Sequence, residues 1–163
     1  MKLLAAAGLL VLSSSALSQA ATLKFPSEAP IASITIPDSW GPKETETGVD
    51  ATSDDSAIYI SVDIADEKTS DKVIDDAIAF LEKNGVKIDG STQKRSDEKI
   101  NGMDMTNFDW TGTDSEGAVD VSLSLLSPKP GKLLVVTYWG AKDTEQKHAQ
   151  ELQAIANSMK PAD

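Results

Sequence analysis

The sequence predicts an α+β fold. A mostly antiparallel central sheet of six or more strands carries two main amphipathic helices, layered as an α/β/α sandwich. Three observations support this. Residues 118–140, AVDVSLSLLSPKPGKLLVVTYWG, hold two apolar runs around Ser127-Pro128-Lys129-Pro130-Gly131, the pattern of a hairpin. The second run, 133–139, is apolar on both faces: Leu133, Val135 and Trp139 against Leu134, Val136 and Tyr138. Such a strand must lie inside a sheet with cover on both sides. Two further segments, 70–84 and 144–159, change the apolar period from that of a strand to that of a helix.

Residues 1–20 stand outside the fold. Lys2 is their only charge, 3–12 is a short apolar run, and Ser18-Gln19-Ala20 fits the small-x-small cleavage rule. The expectation is a signal peptide cleaved after Ala20 and one domain over 21–163. The run falls short of the ~20 residues that span a bilayer, so no membrane anchor is expected. With no cysteine, neither a disulfide nor a lipidated N-terminal cysteine is available, and export without disulfides points to the bacterial periplasm. Loss of Lys2 with the leader leaves 14 basic residues (15 − 1) against 26 acidic, a net charge of −12 (14 − 26). Arg95 is the single arginine. This charge argues against nucleic acid as a partner and against anionic membrane surfaces. It suits a soluble monomer or weak dimer.

Taken in order, 22–25 reads as a short edge strand. Residues 31–36 alternate, with Ala32, Ile34 and Ile36 on one face, and proline at both borders suggests an edge position. A weak strand signal surrounds Val49. Residues 57–65 alternate most cleanly, with Ile58, Ile60, Val62 and Ile64 inward and Tyr59, Ser61 and Asp63 outward. Ser70 is read as an N-cap with Asp71 in the first turn. Val73, Ile74, Ala77, Ile78 and Leu81 form the apolar stripe, and Asn84-Gly85 stops the helix. Residues 86–98 are polar, as in an exposed edge strand. Asn101-Gly102 is a tight hairpin signal leading into a strand over 103–111. The closing helix is capped by Asp143 or Thr144, buries Ala149, Leu152, Ile155, Ala156 and Met159, and ends before Pro161. His148, one residue before Ala149, is placed at its solvent-facing edge.

This element order, the early strand ending in Pro37-Asp38-Ser39-Trp40, and the closing helix with Asn157-Ser158-Met159-Lys160-Pro161 resemble the PsbP-like fold. That fold is shared by the photosystem subunit PsbP, the nuclear Ran-binding protein Mog and bacterial DcrB-type proteins. The resemblance implies an α/β/α sandwich and a role in binding and assembly rather than catalysis. No functional residue of those relatives matches a numbered position in this chain.

Chemistry-bearing motifs are few. His148 is the only histidine, and no Gly-x-Ser-x-Gly elbow accompanies it. One histidine and no cysteine argue against the usual zinc, haem and copper sites. Ser91-Thr92-Gln93-Lys94 matches Ser-x-x-Lys but lacks the companion Ser-Asp-Asn and Lys-Thr-Gly elements. Acidic residues gather at Asp54-Asp55, Asp63, Asp66-Glu67, Asp71 and Asp75-Asp76, and again at Asp109, Asp114, Glu116 and Asp120. A calcium loop begun at Asp109 would put Asp114 where glycine belongs, so both groups read as solvated rims. No cofactor is expected. Phe108 and Trp110 fall on one face of their strand and are the candidate protein-binding residues, exposed if helical cover stops short of them. The functional expectation is a non-catalytic periplasmic binding or accessory protein acting on an unidentified protein partner of the bacterial envelope. The alternatives are an inhibitor or immunity protein against a toxin or lytic enzyme, and a carboxylate-based cell-wall hydrolase.

Overall fold

The computed structural model describes residues 20–162, so the leader assigned to 1–20 lies, apart from Ala20, outside the described residues. Five strands precede the first helix: β1 (Ala20–Phe25), β2 (Ala32–Pro37), β3 (Lys43–Glu44), β4 (Gly48–Thr52) and β5 (Ile58–Ala65). Then come α1 (Ser70–Lys83), β6 (Lys87–Ile88), β7 (Lys94–Ile100), β8 (Met103–Thr113), β9 (Ala118–Lys129), β10 (Lys132–Ala141), α2 (Glu145–Ser158) and β11 (Lys160–Pro161). The main sheet runs β3-β4-β5-β10-β9-β8-β6, with β7 sharing the outer edge of β8. A smaller sheet runs β1-β2-β11, and all pairings are antiparallel.

β10 is interior, as its two apolar faces require. Leu134 and Val135 are both fully buried on opposite faces, Leu134 in the core beneath the small sheet and Val135 in the cluster beneath α1. The sandwich therefore has α1 on one side of the main sheet and the small sheet with α2 on the other. β2 lies in the middle of its sheet rather than at an edge, between β1 and β11. Its prolines permit this, because Pro30 precedes the strand and Pro37 is its last residue.

Local signals set the ends of the helices. Asp66, rather than Ser70, organises the start of α1: its Oδ1 accepts from the amides of Lys68 (3.0 Å) and Thr69 (3.1 Å) and from the Thr69 hydroxyl (3.0 Å). Gly85, at φ 85°, closes the helix where the sequence placed its stop. Asn101 and Gly102 adopt φ 50° and 84°, the mirror-image turn that joins β7 to β8. The Asn101 amide also donates to the carbonyls of Asn157 (2.9 Å) and Met159 (2.6 Å), fastening that hairpin to the end of α2.

The pattern of apolar residues crosses over within the main sheet. On one face the row Val49–Val62–Val136 continues into Ser124 and Asn107. On the other face the neighbouring row Asp50–Ser61–Thr137 continues into Leu123 and Phe108. In these two rows the apolar and polar ends are exchanged between the faces. The small sheet and α2 cover the apolar half of the first face. α1 packs over the inner strands of the second and stops short of the β8 edge.

Candidate functional site

Phe108 and Trp110 stand on the α1 face of β8. Their ring centroids are 6.2 Å apart with 21° between the planes. Arg95, opposite Phe108 on β7, holds its guanidinium 5.8 Å from that ring, within range of a cation–π contact. Both rings are half-buried. Trp110 packs into the apolar clusters beneath α1 and also lines an open groove of about 580 Å³ with Leu123, Ile78, Glu82 and Ile88. Phe108 is Trp110's stacking neighbour and does not line the groove. The structure thus brings the two candidate residues together where the cover from α1 ends.

The opposite face of the same strands is polar. The Ser122 hydroxyl donates to Asp109 (2.5 Å), Asn107 donates to the other Asp109 oxygen (2.6 Å), and Ser124 bonds Asn107 in turn. Asp109 and Ser122, with Thr92, Thr111, Asp120 and Tyr138, border a shallow trough of about 740 Å³. Ser91, from the Ser-x-x-Lys match, donates its hydroxyl to Asp89 (2.6 Å) within a short turn, so it forms no nucleophile–base pair there. Asp114 accepts from the Gly117 and Glu116 amides and from the Trp139 indole at 3.1 Å, which makes it a turn-forming residue.

His148 departs from the sequence reading. It is 3% exposed, and Ala149 is the residue left in solvent. The buried stripe of α2 runs His148, Leu152, Ile155 and Met159, and Ala149 falls about 100° to one side of His148. That i, i+4, i+7, i+11 spacing was the available signal, masked by the habit of treating histidine as polar. Nδ1 meets Glu151 Oε2 at 2.7 Å, and Nε2 lies 3.1 Å from both Asp55 oxygens. A ring with carboxylates on both nitrogens is best matched as a double donor, the imidazolium. Glu151 is the main cause that raises the His148 pKa, working against desolvation and assisted by Asp55. Asp55 is in turn held well below the ordinary carboxylate range, first by Lys147 (2.6 Å), then by His148 and Ser53. The acidic rim read at Asp54-Asp55 is thus, for Asp55, a clamp joining the β4–β5 turn to α2. Asp54, Asp55 and His148 place ligand-type atoms within 4.8 Å of one another, but Lys147 and the imidazolium already neutralise Asp55.

No family model and no curated protein sequence matches the chain. Solved structures do match its fold. The solution structure of cyanobacterial PsbP (CyanoP) from Synechocystis sp. PCC 6803 superposes with a TM-score of 0.58 at 11% identity, over 98% of this chain and 99% of that one. The fold is PsbP-like. LpqN of Mycobacterium tuberculosis, described as involved in cell envelope biogenesis, matches at TM-score 0.54 and 14% identity, over 89% of this chain and 91% of that one. A Bacteroides thetaiotaomicron protein matches at 0.53 and 11% over 81% of this chain but only 45% of its own length. At these identities the likeness carries the PsbP-like architecture and no residue-level role. No helix among the described residues is long and apolar enough to cross a membrane.

Proposed function

We propose that the protein is a non-catalytic binding or accessory protein of the bacterial envelope, and that it docks an apolar segment of a protein partner in the groove between α1 and β6. The carrying observation is that groove: Trp110 and Leu123 form its floor at the point where α1 ceases to cover the sheet, with Glu82 and Lys87 at its sides. A half-buried aromatic side chain that a partner would finish burying, set between polar edges, is the arrangement that concentrates binding energy at protein interfaces. The acidic surface, net −11 for the whole chain, favours a neutral or basic segment over an acidic one. The leader-like residues 1–20 and the envelope role described for LpqN support the location.

The side-chain chemistry supports binding over hydrolysis. Both nitrogens of His148 are engaged by carboxylates, which leaves it no nucleophile to activate. The carboxyls of Asp55, Asp66, Asp89 and Asp97 are all held below the ordinary range, chiefly by Lys147, the Lys68 amide, and the Ser91 and Thr106 hydroxyls respectively. A glycan-cleaving general acid needs the opposite displacement. The test is crosslinking in intact cells with the parent protein and with Trp110→Leu, which keeps apolar packing under α1 but shortens the floor of the groove. A discrete crosslinked partner that disappears with the variant is expected. Turnover of peptidoglycan by the purified protein, abolished by one Asp or Glu substitution, would overturn the proposal.

A further inference from the structure

Away from the groove, the polar half of the α1 face forms a second enclosure. Its floor is the cross-strand row Asp50–Ser61–Thr137, with Asp63 two residues along β5 from Ser61. α1 closes it from above, and the space between is a cleft of about 240 Å³. This is smaller than the cavities that take drug-sized ligands. Its wall is aromatic: Tyr59 and Phe80 stack with centroids 4.9 Å apart, and Phe80 is the one large apolar side chain exposed among the described residues, at 38%.

The floor is unusual for a protein interior. Thr137 is 1% exposed and its hydroxyl has no hydrogen-bond partner, and the buried Oδ1 of Asp50 has none either. Lys43 forms an ion pair with that oxygen at 3.6 Å, outside hydrogen-bond range, from a side chain that is 71% exposed and does not line the cleft. Asp63 accepts from the Thr47 (2.6 Å) and Ser61 (3.0 Å) hydroxyls and has no ion-pair partner within 4.0 Å among the described residues. Buried polar atoms are almost always hydrogen-bonded, so the Thr137 hydroxyl and the Asp50 oxygen, which lack a hydrogen bond on residues that line one cleft, point to a donor from outside the chain. The Tyr59 hydroxyl in the wall is pushed up to about 12, chiefly by burial, with the Asp50 and Asp63 charges adding to it.

We infer that this cleft binds a short aliphatic diamine, with one ammonium seated over Ser61 between Asp50, Thr137 and Asp63 and the methylene chain lying against Phe80. A primary ammonium carries three N–H donors on a compact centre. The cleft offers acceptors from three directions: Asp50 across the row on one side, Thr137 on the other, and Asp63 along the strand. A planar guanidinium would pair with one carboxylate and leave the others unmatched, and an anion would be repelled. Three carboxylates line the cleft, and Asp76 is already paired with Lys72 on its own helix, so the two ammonium charges balance Asp50 and Asp63, which a single lysine side chain of a docked protein would not. The aromatic wall favours an organic cation over a hydrated metal ion.

Calorimetric titration with cadaverine at low ionic strength tests this directly. Saturable one-to-one binding is expected, weakened roughly tenfold or more by Asp50→Asn, which removes the charge without changing shape. Thr137→Val should also weaken binding several-fold while leaving the melting temperature unchanged or raised, because it deletes a buried unpaired hydroxyl. That variant keeps the proposal testable if Asp50→Asn fails to fold. Three outcomes overturn it: no saturable binding to folded protein, equal affinity for choline or calcium, or binding of a lysine-containing peptide without binding of cadaverine. Trp110→Leu should retain cadaverine binding, so failure here and failure of the α1–β6 groove are separable.

Discussion

Replacing Val135 by threonine and by aspartate probes the centre of the sheet at two strengths. Val135 is fully buried on the α1 face of β10, between Asp63 of β5 and Leu125 of β9 in register, and packs with Ala65, Ala77 and Leu123. Threonine matches valine closely in volume, so no cavity opens, and the cost is that of one buried hydroxyl: about 1–3 kcal/mol. For a chain of this size each kcal/mol moves the melting temperature by about 2–4 °C, which gives a drop of about 2–12 °C. Aspartate adds a charge with no partner on that face of the interior, and its cost should exceed about 4 kcal/mol, a large share of the 5–15 kcal/mol of a typical domain. Thermal unfolding by calorimetry, with the exposed Thr113→Asp as a control expected to change stability by no more than about 0.5 kcal/mol, separates the cases. If Val135→Asp melted within about 2 °C of the parent, less than 1 kcal/mol by the same scaling, β10 would not be the buried interior strand.

Other consequences follow from single contacts. Because the folded His148 pKa is raised above its ordinary value near 6.5, its charged form stabilises the fold fully below about pH 6.5, and that stabilisation is lost as pH rises through the folded pKa. Melting curves between pH 5.5 and 9 should show His148→Gln losing this slope; an unchanged slope would remove the clamp from the account. Gly140→Ala should lower stability, since a Cβ there would lie 2.2 Å from the Tyr138 hydroxyl and 2.7 Å from its ring; pairing it with Tyr138→Leu should recover part of the loss, and no recovery would mean the clash lies elsewhere. Asp66→Ala should cost about 1 kcal/mol by freeing the first turn of α1, read from urea unfolding, and a neutral result would show that the turn holds without it.

Much of the architecture is legible because burial leaves a period in the chain. Ile58, Ile60, Val62 and Ile64 face the core beneath the small sheet, and Val119, Val121, Leu123 and Leu125 face α1, as their alternation requires. The stripe of α1 and the Asn101-Gly102 turn lie where composition placed them. What eluded the sequence depends on who pairs with whom. Nothing in Ile34 or Ile36 says that β11 returns to put β2 at the centre of its own sheet. Tyr59, Ser61 and Asp63 look solvent-facing from period alone; only the placement of α1 turns them into the floor and wall of a cleft. His148 has the spacing of the buried stripe but reads as polar by residue type, and its partner Asp55 lies 93 residues away in the chain. Phe108 and Trp110 could be assigned to one face, but the limit of the cover from α1 is a three-dimensional fact.

The central claim is that a partner occupies the α1–β6 groove. The most direct measurement places a photocrosslinking residue at Lys87, beside the groove, and in a second protein at Ser96, an exposed position on the other face of the β7 edge, and irradiates living cells. The account predicts one discrete adduct from position 87, carrying an apolar segment of an envelope protein against Trp110 and lost when Trp110→Leu is added. The same adducts from both positions, or none from position 87 in protein that is folded and exported, would contradict it.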